Sequence, residues 1–203
     1  MELMIRLTKT GGKKVCVEPE GQEGIFLYPG EIRKCRLTDG MTMAEEEFED
    51  IRINYALPRA KKRALGILLK RDMTLQGLRE KLEGSYNDSR SIEEALSFVQ
   101  ECGYVDDMNY ARDYLQSRRK RRSFRMIRQD LSRKGISQEI LNHLFEEAGN
   151  QDREDVEEAV VKYARRFETE DPTAYRKICA HFMRKGYDQG LIRDILKEGW
   201  ESV

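Results

Sequence analysis

The sequence lacks any apolar stretch long enough to cross a membrane. Such a span needs about 20 consecutive apolar residues, and charged residues make up 36% of these 203 residues. The opening stretch MELMIRLTK has no long apolar core, so we expect no secretory signal and a cytoplasmic location. We therefore expect no contact with a membrane, and the 39% of hydrophobic residues is enough to fold several small cores.

Cysteine and histidine are too scattered to form a metal site or a disulfide framework. No two cysteines form a CxxC pair, and the two histidines, His143 and His181, lie within helical patterns. The four cysteines are Cys16, Cys35, Cys102 and Cys179. Reduced thiols are expected, as in cytosolic proteins, and no metal or cofactor is expected.

Motifs of catalysis are also missing. There is no glycine-rich phosphate loop and no nucleophile elbow. The adjacent pair Asp106-Asp107 could bind Mg²⁺, but no third acid stands near it in the sequence. Aspartate is a good N-cap, so the pair is better explained as the start of a helix at Met108. We expect the protein not to be an enzyme.

The net charge of zero hides a strong asymmetry along the chain. Residues 1–57 carry 8 basic and 11 acidic side chains, residues 58–135 carry 19 and 11, and residues 136–203 carry 10 and 15. The corresponding net charges are −3, +8 and −5. A positive middle between negative ends predicts contact with a polyanion or an acidic protein, and the alternative is a solubility pattern without a partner.

The first 54 residues are predicted to form a small antiparallel β-meander followed by a short helix. Apolar residues alternate with polar ones in residues 3–7 and 15–17, and residues 25–28 can form a third strand. Thr42 and Glu45 have the spacing of a capping box, which predicts a helix after them. The acidic stretch EEEFEDI suits a first helical turn better than a metal site.

From Pro58 onward the pattern is helical and repeats. A shift of 51 residues without a gap superimposes Ile127 on Ile178 and Leu131 on Phe182, and it also aligns the two Arg-Lys-Gly sequences. A weaker copy precedes them, with helices starting near Pro58, Thr74 and Ser91. Breaks are expected at residues 150–152 and 170–172, and Trp200 is interpreted as a packing residue.

These patterns predict a mainly α fold. Residues 1–54 form the N-terminal β-meander and short helix, and three tandem three-helix repeats follow at residues 55–106, 107–149 and 150–203. Each repeat would contact mainly its neighbours, giving an elongated, curved body. Three linked units need no dimer to bury their cores, so we expect a monomer.

The most distinctive stretch is SRRKRRSFRMIRQDLSRKGI, residues 117–136. Seven of its residues from 118 to 128 are basic, and no acid lies between them, so we expect no local ion pairs. Phe124, Ile127 and Leu131 have the spacing of one apolar helix face, which Gly135 ends. The candidate partner-binding or nucleic-acid-binding residues are Arg118, Arg119, Lys120, Arg121, Arg122, Arg125 and Arg128, with a second cluster at Lys61, Lys62 and Arg63. The alternative interpretation is a solvated loop.

Two motifs resemble the RecX family of bacterial recombination regulators. The sequence GYVDD at residues 103–107, followed by Tyr110-Ala111, is similar to the first motif, and IRQDL with KGI at residues 127–136 is similar to the second. The similarity covers residues 55–200, and the strand-bearing front resembles an extension found in some members. Ser123 stands where family members often have glycine.

The resemblance implies a function that the periodicity cannot supply. RecX-like proteins bind the RecA recombinase filament on single-stranded DNA and usually inhibit its growth, ATP hydrolysis, strand exchange and co-protease activity, which affects recombination, DNA repair and the SOS response. Two alternatives stay open. One is a stand-alone DNA-binding protein with helix-turn-helix-like units, and the other is a scaffold whose basic run binds an acidic protein.

Overall fold

The computed structural model describes residues 2–85, 88–149, 152–167 and 173–201. The chain divides into two compact units, Met1–Asp106 and Asp107–Val203. The fold is mainly helical with one small antiparallel sheet near the N-terminus, so the predicted fold class is confirmed. No helix in the described ranges has the length and hydropathy needed to span a membrane.

The N-terminal sheet has four antiparallel strands in the order β3-β2-β1-β4. The strands are β1 (Glu2–Lys9), β2 (Val15–Pro19), β3 (Ile25–Leu27) and β4 (Thr42–Ala44). The three predicted strands are present, because the alternation that predicted them places one set of side chains, such as Ile5 and Val17, in the core.

The fourth strand replaces the predicted capping box. Met43 pairs with Leu3 of β1 and buries its side chain, and Thr42 lies in the strand. The following helix does begin at Glu45, but its N-cap is Ala44, which makes no side-chain cap hydrogen bond. The prediction of Thr42 as a cap is therefore wrong, because strand pairing and burial of Met43 decide the local structure.

Two helices of the first unit start earlier than predicted, and one starts where it was predicted. They are α1 (Pro29–Lys34), α2 (Glu45–Ile51), a π-helical turn (Arg52–Ala56), α3 (Leu57–Leu68), α4 (Leu75–Glu83) and α5 (Ser89–Glu101). The elements from α2 to α3 follow one another without a break, so the helix predicted to start near Pro58 begins at Glu45. Thr74 caps α4 as predicted, whereas α5 is capped by Asp88, which accepts from the backbone N–H of Ser91.

The second unit contains two sets of three helices. The helices are α6 (Asp107–Arg118), α7 (Phe124–Arg133), α8 (Gln138–Ala148), α9 (Asp152–Ala164), α10 (Ala174–Met183) and α11 (Gln189–Glu201). Ser123 caps α7 by accepting from the N–H of Met126, and its side chain is fully buried. Gly135 follows α7 with φ +83°, the left-handed conformation that the predicted helix end requires.

Separate hydrophobic clusters fill the sheet region and each set of three helices. Ile127 and Ile178, which the 51-residue shift superimposes, are both completely buried, as are Leu131 and, to within 1%, Phe182. The sequence repeat thus corresponds to equivalent core positions in α7 and α10. The division into four parts stays a prediction, and its boundary at residue 54 falls within the π-helical turn.

Some predictions lie outside the described residues. These are the boundary at Asn150-Gln151, the break at residues 170–172 and the packing of the Trp200 side chain.

Candidate polyanion-binding surface

The basic run forms the connection between α6 and α7. Arg118 is the last residue of α6, and the backbone then turns, with the N–H groups of Arg121 and Arg122 donating to the carbonyl of Arg118 at 2.8 and 3.0 Å. Ser123 and Phe124 then begin α7. The run is therefore a tight turn between two helices of the same three-helix set.

Arg119 is held by an acid from the next three-helix set. Its Nε donates to both carboxylate oxygens of Asp155 on α9, at 3.0 and 2.9 Å, and Asp155 is only 6% exposed. This hydrogen-bonded carboxylate raises the pKa of the Arg119 guanidinium. The hydroxyl of Tyr187 also donates to the Arg119 carbonyl, at 3.3 Å. No acid lies near Arg119 in the sequence, and folding supplies one from 36 residues away.

Backbone contacts fix the same turn more firmly. The N–H of Ser123 donates to the carbonyl of Lys185 at 3.1 Å, and the N–H of Phe124 donates to Asp152 Oδ1 at 2.8 Å. Burial raises the pKa of Asp152, and the hydrogen bond from Phe124 partly opposes that rise. The helices α9–α11 are called the third helix set. The turn is thus anchored to this set by its backbone as well as by Arg119.

Arg122 also has an internal partner. It forms an ion pair with Asp130 of α7, a carboxylate that is 14% exposed. Asp130 accepts in addition from the hydroxyl of Tyr114 at 3.3 Å and lies 3.9 Å from Arg133. The guanidinium of Arg118 lies over the Tyr114 ring at 5.5 Å from its centroid. Burial and then Asp130 raise the pKa of the Tyr114 hydroxyl, so this side of the turn is a connected network.

Four cations of the run are exposed without a carboxylate partner among the described residues, and one of them, Arg118, lies over the Tyr114 ring. Lys120, Arg121 and Arg125 are exposed, and none has an ion-pair partner among the described residues. They lie within six positions of one another, on a turn whose neighbouring residues are fixed. We call Lys120, Arg121 and Arg125 the outward cations. Held close together, like charges attract a polyanion more strongly than dispersed ones.

Arg128 and the α3 cluster differ from the outward cations. Arg128 is half-buried, donates to Asn142 Oδ1 of α8 and lies over Phe145, 5.6 Å from the ring centroid. Lys61, Lys62 and Arg63 belong to the first unit. Lys61 is half-buried with its Nζ 4.7 Å from the centroid of Phe98, and the other two are exposed.

Sequence reasoning missed the acids that hold the run. Asp130 stands three residues before Arg133, the spacing of neighbours on a helix, and this signal could have identified it as a partner. Asp152 and Asp155 have no such local signal, because the helices α7 and α8 lie between them and the run. In the described ranges, no group of three or more His, Cys, Asp or Glu residues is arranged to hold a metal ion.

The chain is similar to known regulatory proteins. Residues 106–143 match a family model described as RecX, second three-helix domain. A regulatory protein RecX of Clostridium acetobutylicum is 30% identical over 180 residues, which cover 85% of this chain and 81% of that protein. A regulatory protein RecX of Clostridium botulinum is 30% identical over 132 residues, and this match spans only 61% of that relative's length.

Solved structures show the same fold. A crystal structure of regulatory protein RecX aligns with a TM-score of 0.63 at 18% identity, covering 96% of this chain and 99% of that one. The RecX structure from Lactobacillus salivarius aligns with a TM-score of 0.61 at 21% identity over 70% of this chain and 95% of that one. Together with the sequence matches, these findings establish that the chain belongs to the RecX family.

Proposed function

We propose that this protein regulates the RecA recombinase and that it acts as an inhibitor. In this proposal it binds the RecA filament on single-stranded DNA and limits the ATPase, strand exchange and co-protease activities, in recombination, repair and the SOS response. Family membership supports the target, and the outward cations Lys120, Arg121 and Arg125 support contact with a polyanion.

The proposed contact with DNA phosphates rests on the outward cations. Arg119 and Arg122 are occupied by Asp155 and Asp130, so their role is to fix the turn. The fixed turn then presents neighbouring side chains that lack a carboxylate among the described residues. Phosphates would neutralise these charges and release the counterions condensed on the DNA, which favours binding. Arg118, at the edge of the turn, would extend the same surface.

A helix-turn-helix function is less well supported. In that motif the second helix enters the major groove, and here the equivalent second helix is α8. Its exposed side chains include Glu139, Glu146 and Glu147. Three carboxylates on this face would repel the phosphates on either side of the groove. The basic charge lies before α7 instead, which suits backbone contact better than base reading.

The test is ATP hydrolysis by RecA on single-stranded DNA while this protein is titrated in. We expect hydrolysis to fall at amounts well below one molecule per RecA, because blocking filament growth or stability affects many subunits at once. If hydrolysis were unchanged at every ratio, the RecA proposal would be wrong. A screen for duplex DNA binding without RecA would then address the helix-turn-helix alternative.

Removing the outward cations should weaken this effect selectively. The variant K120Q/R121Q/R125Q should need at least about ten times more protein for half-inhibition, since each lost phosphate contact weakens binding. The matched control R112Q/R153Q/R193Q removes the same charge from exposed arginines that are paired with Glu147, Glu198 and Asp194. The control should inhibit like the wild type, and equal loss in both variants would mean that only net charge matters.

A further inference from the structure

Equivalent positions in α7 and α10 carry different side chains with different consequences. The 51-residue shift places Asp130 and His181 at the same position of the repeat. Each contacts a tyrosine of the preceding helix. The hydroxyl of Tyr114 donates to Asp130, whereas the ring of Tyr163 stacks on His181 with centroids 4.2 Å apart and an interplanar angle of 11°. The helices α9–α11 therefore keep a tyrosine beside this position but replace the acid with an imidazole.

The missing acid leaves a group of cations without a carboxylate. In α7, Asp130 pairs with Arg122 and Arg133. Around His181, Arg166 and Arg184 are exposed and Lys185 is half-buried, and none of the three has an ion-pair partner among the described residues. Burial lowers the pKa of His181, and the charges of Lys185, Arg184 and Arg166 lower it further. Arg184 and Lys185 follow His181 by three and four positions at the end of α10, the spacing of neighbours on one helix face.

Aromatic rings hold two of these cations, Arg166 and Lys185, in position. The guanidinium of Arg166 lies 5.2 Å from the centroid of Tyr163, and Lys185 Nζ lies 5.0 Å from the centroid of Phe182. Phe182 in turn packs edge-on against both Tyr163 and His181. Arg166 and Lys185 thus stand on aromatic rings, Tyr163 and Phe182, that pack in the core of α9–α11.

We infer that Arg166, Arg184 and Lys185 form a second surface that binds the phosphodiester backbone of single-stranded DNA. Guanidinium groups match the geometry of phosphate oxygens, and a positively charged surface that follows the backbone is typical of proteins that bind single strands. The inference rests on the proposed function for its ligand, because the filament is where this protein would meet such DNA.

A second contact on the same strand would raise the overall affinity for DNA, although neither surface gains an interaction of its own. The outward cations and this surface belong to the same compact unit, Asp107–Val203. Once one surface holds a strand, the other is presented with phosphates at a high effective concentration. Loss of the second surface should therefore lower the affinity for a long strand more than the affinity for a very short one.

The test uses the full chain and a fluorescein-labelled oligothymidylate, with binding followed by anisotropy. We expect R166Q/R184Q to bind about tenfold more weakly at low salt. The slope of log K against log salt should become shallower by about 1.4, since each phosphate contact on a single strand contributes about 0.7. The matched control R153Q/R193Q removes the same charge from the same helix set, at residues with carboxylate partners. The inference fails if R166Q/R184Q has the affinity and slope of this control.

A local readout separates direct contact from a change in folding. The chain has only two histidines, His181 and the exposed His143 of α8, so both imidazoles can be followed by proton NMR. Phosphates bound beside His181 should raise its pKa, because an anion favours the imidazolium. The ring resonances of His143, which lies on α8, serve as the reference. Saturating oligothymidylate that left the pKa of His181 unchanged would place the DNA elsewhere and overturn the inference.

Two further outcomes distinguish the ligand and the dependence on RecA. Poly-glutamate of equal charge should compete poorly, and equal competition would assign the surface to an acidic protein and overturn the DNA assignment. If R166Q/R184Q binds DNA like the wild type while the wild type still inhibits RecA, only the second surface is wrong. If the wild type leaves RecA unaffected but binds DNA through these cations, only the RecA proposal is wrong.

Discussion

Replacing Gly186 with alanine is expected to lower the free energy of unfolding of the second unit by about 2–5 kcal/mol. Gly186 has φ +92°, a backbone conformation that strains any residue with a Cβ atom. An added Cβ would also clash with Met126 Cγ and would lie 2.5 Å from Ser123 Oγ. These atoms cannot move away easily, because Ser123 is fully buried and caps α7.

Gly149→Ala is the matched control for this prediction. Gly149 has φ +63° and ψ −177°, a conformation that essentially only glycine adopts, but no described atom lies within 4 Å of its virtual Cβ. Only backbone strain should therefore be felt, about 1–3 kcal/mol. Urea denaturation of both full-length variants, followed by circular dichroism, measures the difference. Equal losses of unfolding free energy in the two variants would mean that the close approach of Gly186 to Ser123 and Met126 adds nothing to the stability. The packing between α6–α8 and α9–α11 would then not depend on this contact.

Replacing Arg52 with methionine is expected to destabilise the first unit by about 2–4 kcal/mol, somewhat less than for a fully buried ion pair because its partners are partly exposed. Arg52 is 3% exposed, and it donates to Glu49 at 2.9 and 2.7 Å, to Glu94 at 2.6 Å and to Ser91 at 3.1 Å. Without the guanidinium, Glu94 and the buried Ser91 hydroxyl lose this donor, and Glu49 keeps its pair with Arg90.

Arg90→Met is the control, because Arg90 pairs with the same Glu49 at 3.0 Å but is 63% exposed. It should cost less than about 1 kcal/mol, as exposed pairs do. Thermal and urea unfolding of the two variants would contradict this account if their losses were equal.

The pKa of Glu49 is lowered, mainly by its hydrogen bond from Arg52, so its stabilising effect is complete above pH 4.5 and declines as the pH falls.

Local periodicity predicted the parts of the fold that local physics decides. Phe124, Ile127 and Leu131 predicted α7 because one helix face must be buried, and all three are buried. The 51-residue shift predicted equivalent cores for the same reason. Residues 3–7 predicted a strand because alternate side chains enter the core of the sheet.

Short motifs and distant partners were not predictable in the same way. Ser91 and Glu94 have capping-box spacing, yet they bind Arg52, a residue that precedes Ser91 by 39 positions. Likewise, the basic run has no acid near it in sequence, and Asp155 reaches Arg119 only when α9 folds against the turn. The outward cations could be identified only by subtraction, after the structure had shown which arginines were occupied.

If the outward cations contact DNA phosphates in the RecA filament, the affinity of this protein for the filament must depend on the salt concentration through them. Binding of the full chain to preassembled RecA filaments on single-stranded DNA should be measured between low and physiological salt, for wild type and K120Q/R121Q/R125Q. The account predicts weaker binding of the variant and a slope of log K against log salt that is shallower by about 2, from three contacts of about 0.7 each. Identical affinities and slopes for the two proteins would contradict it.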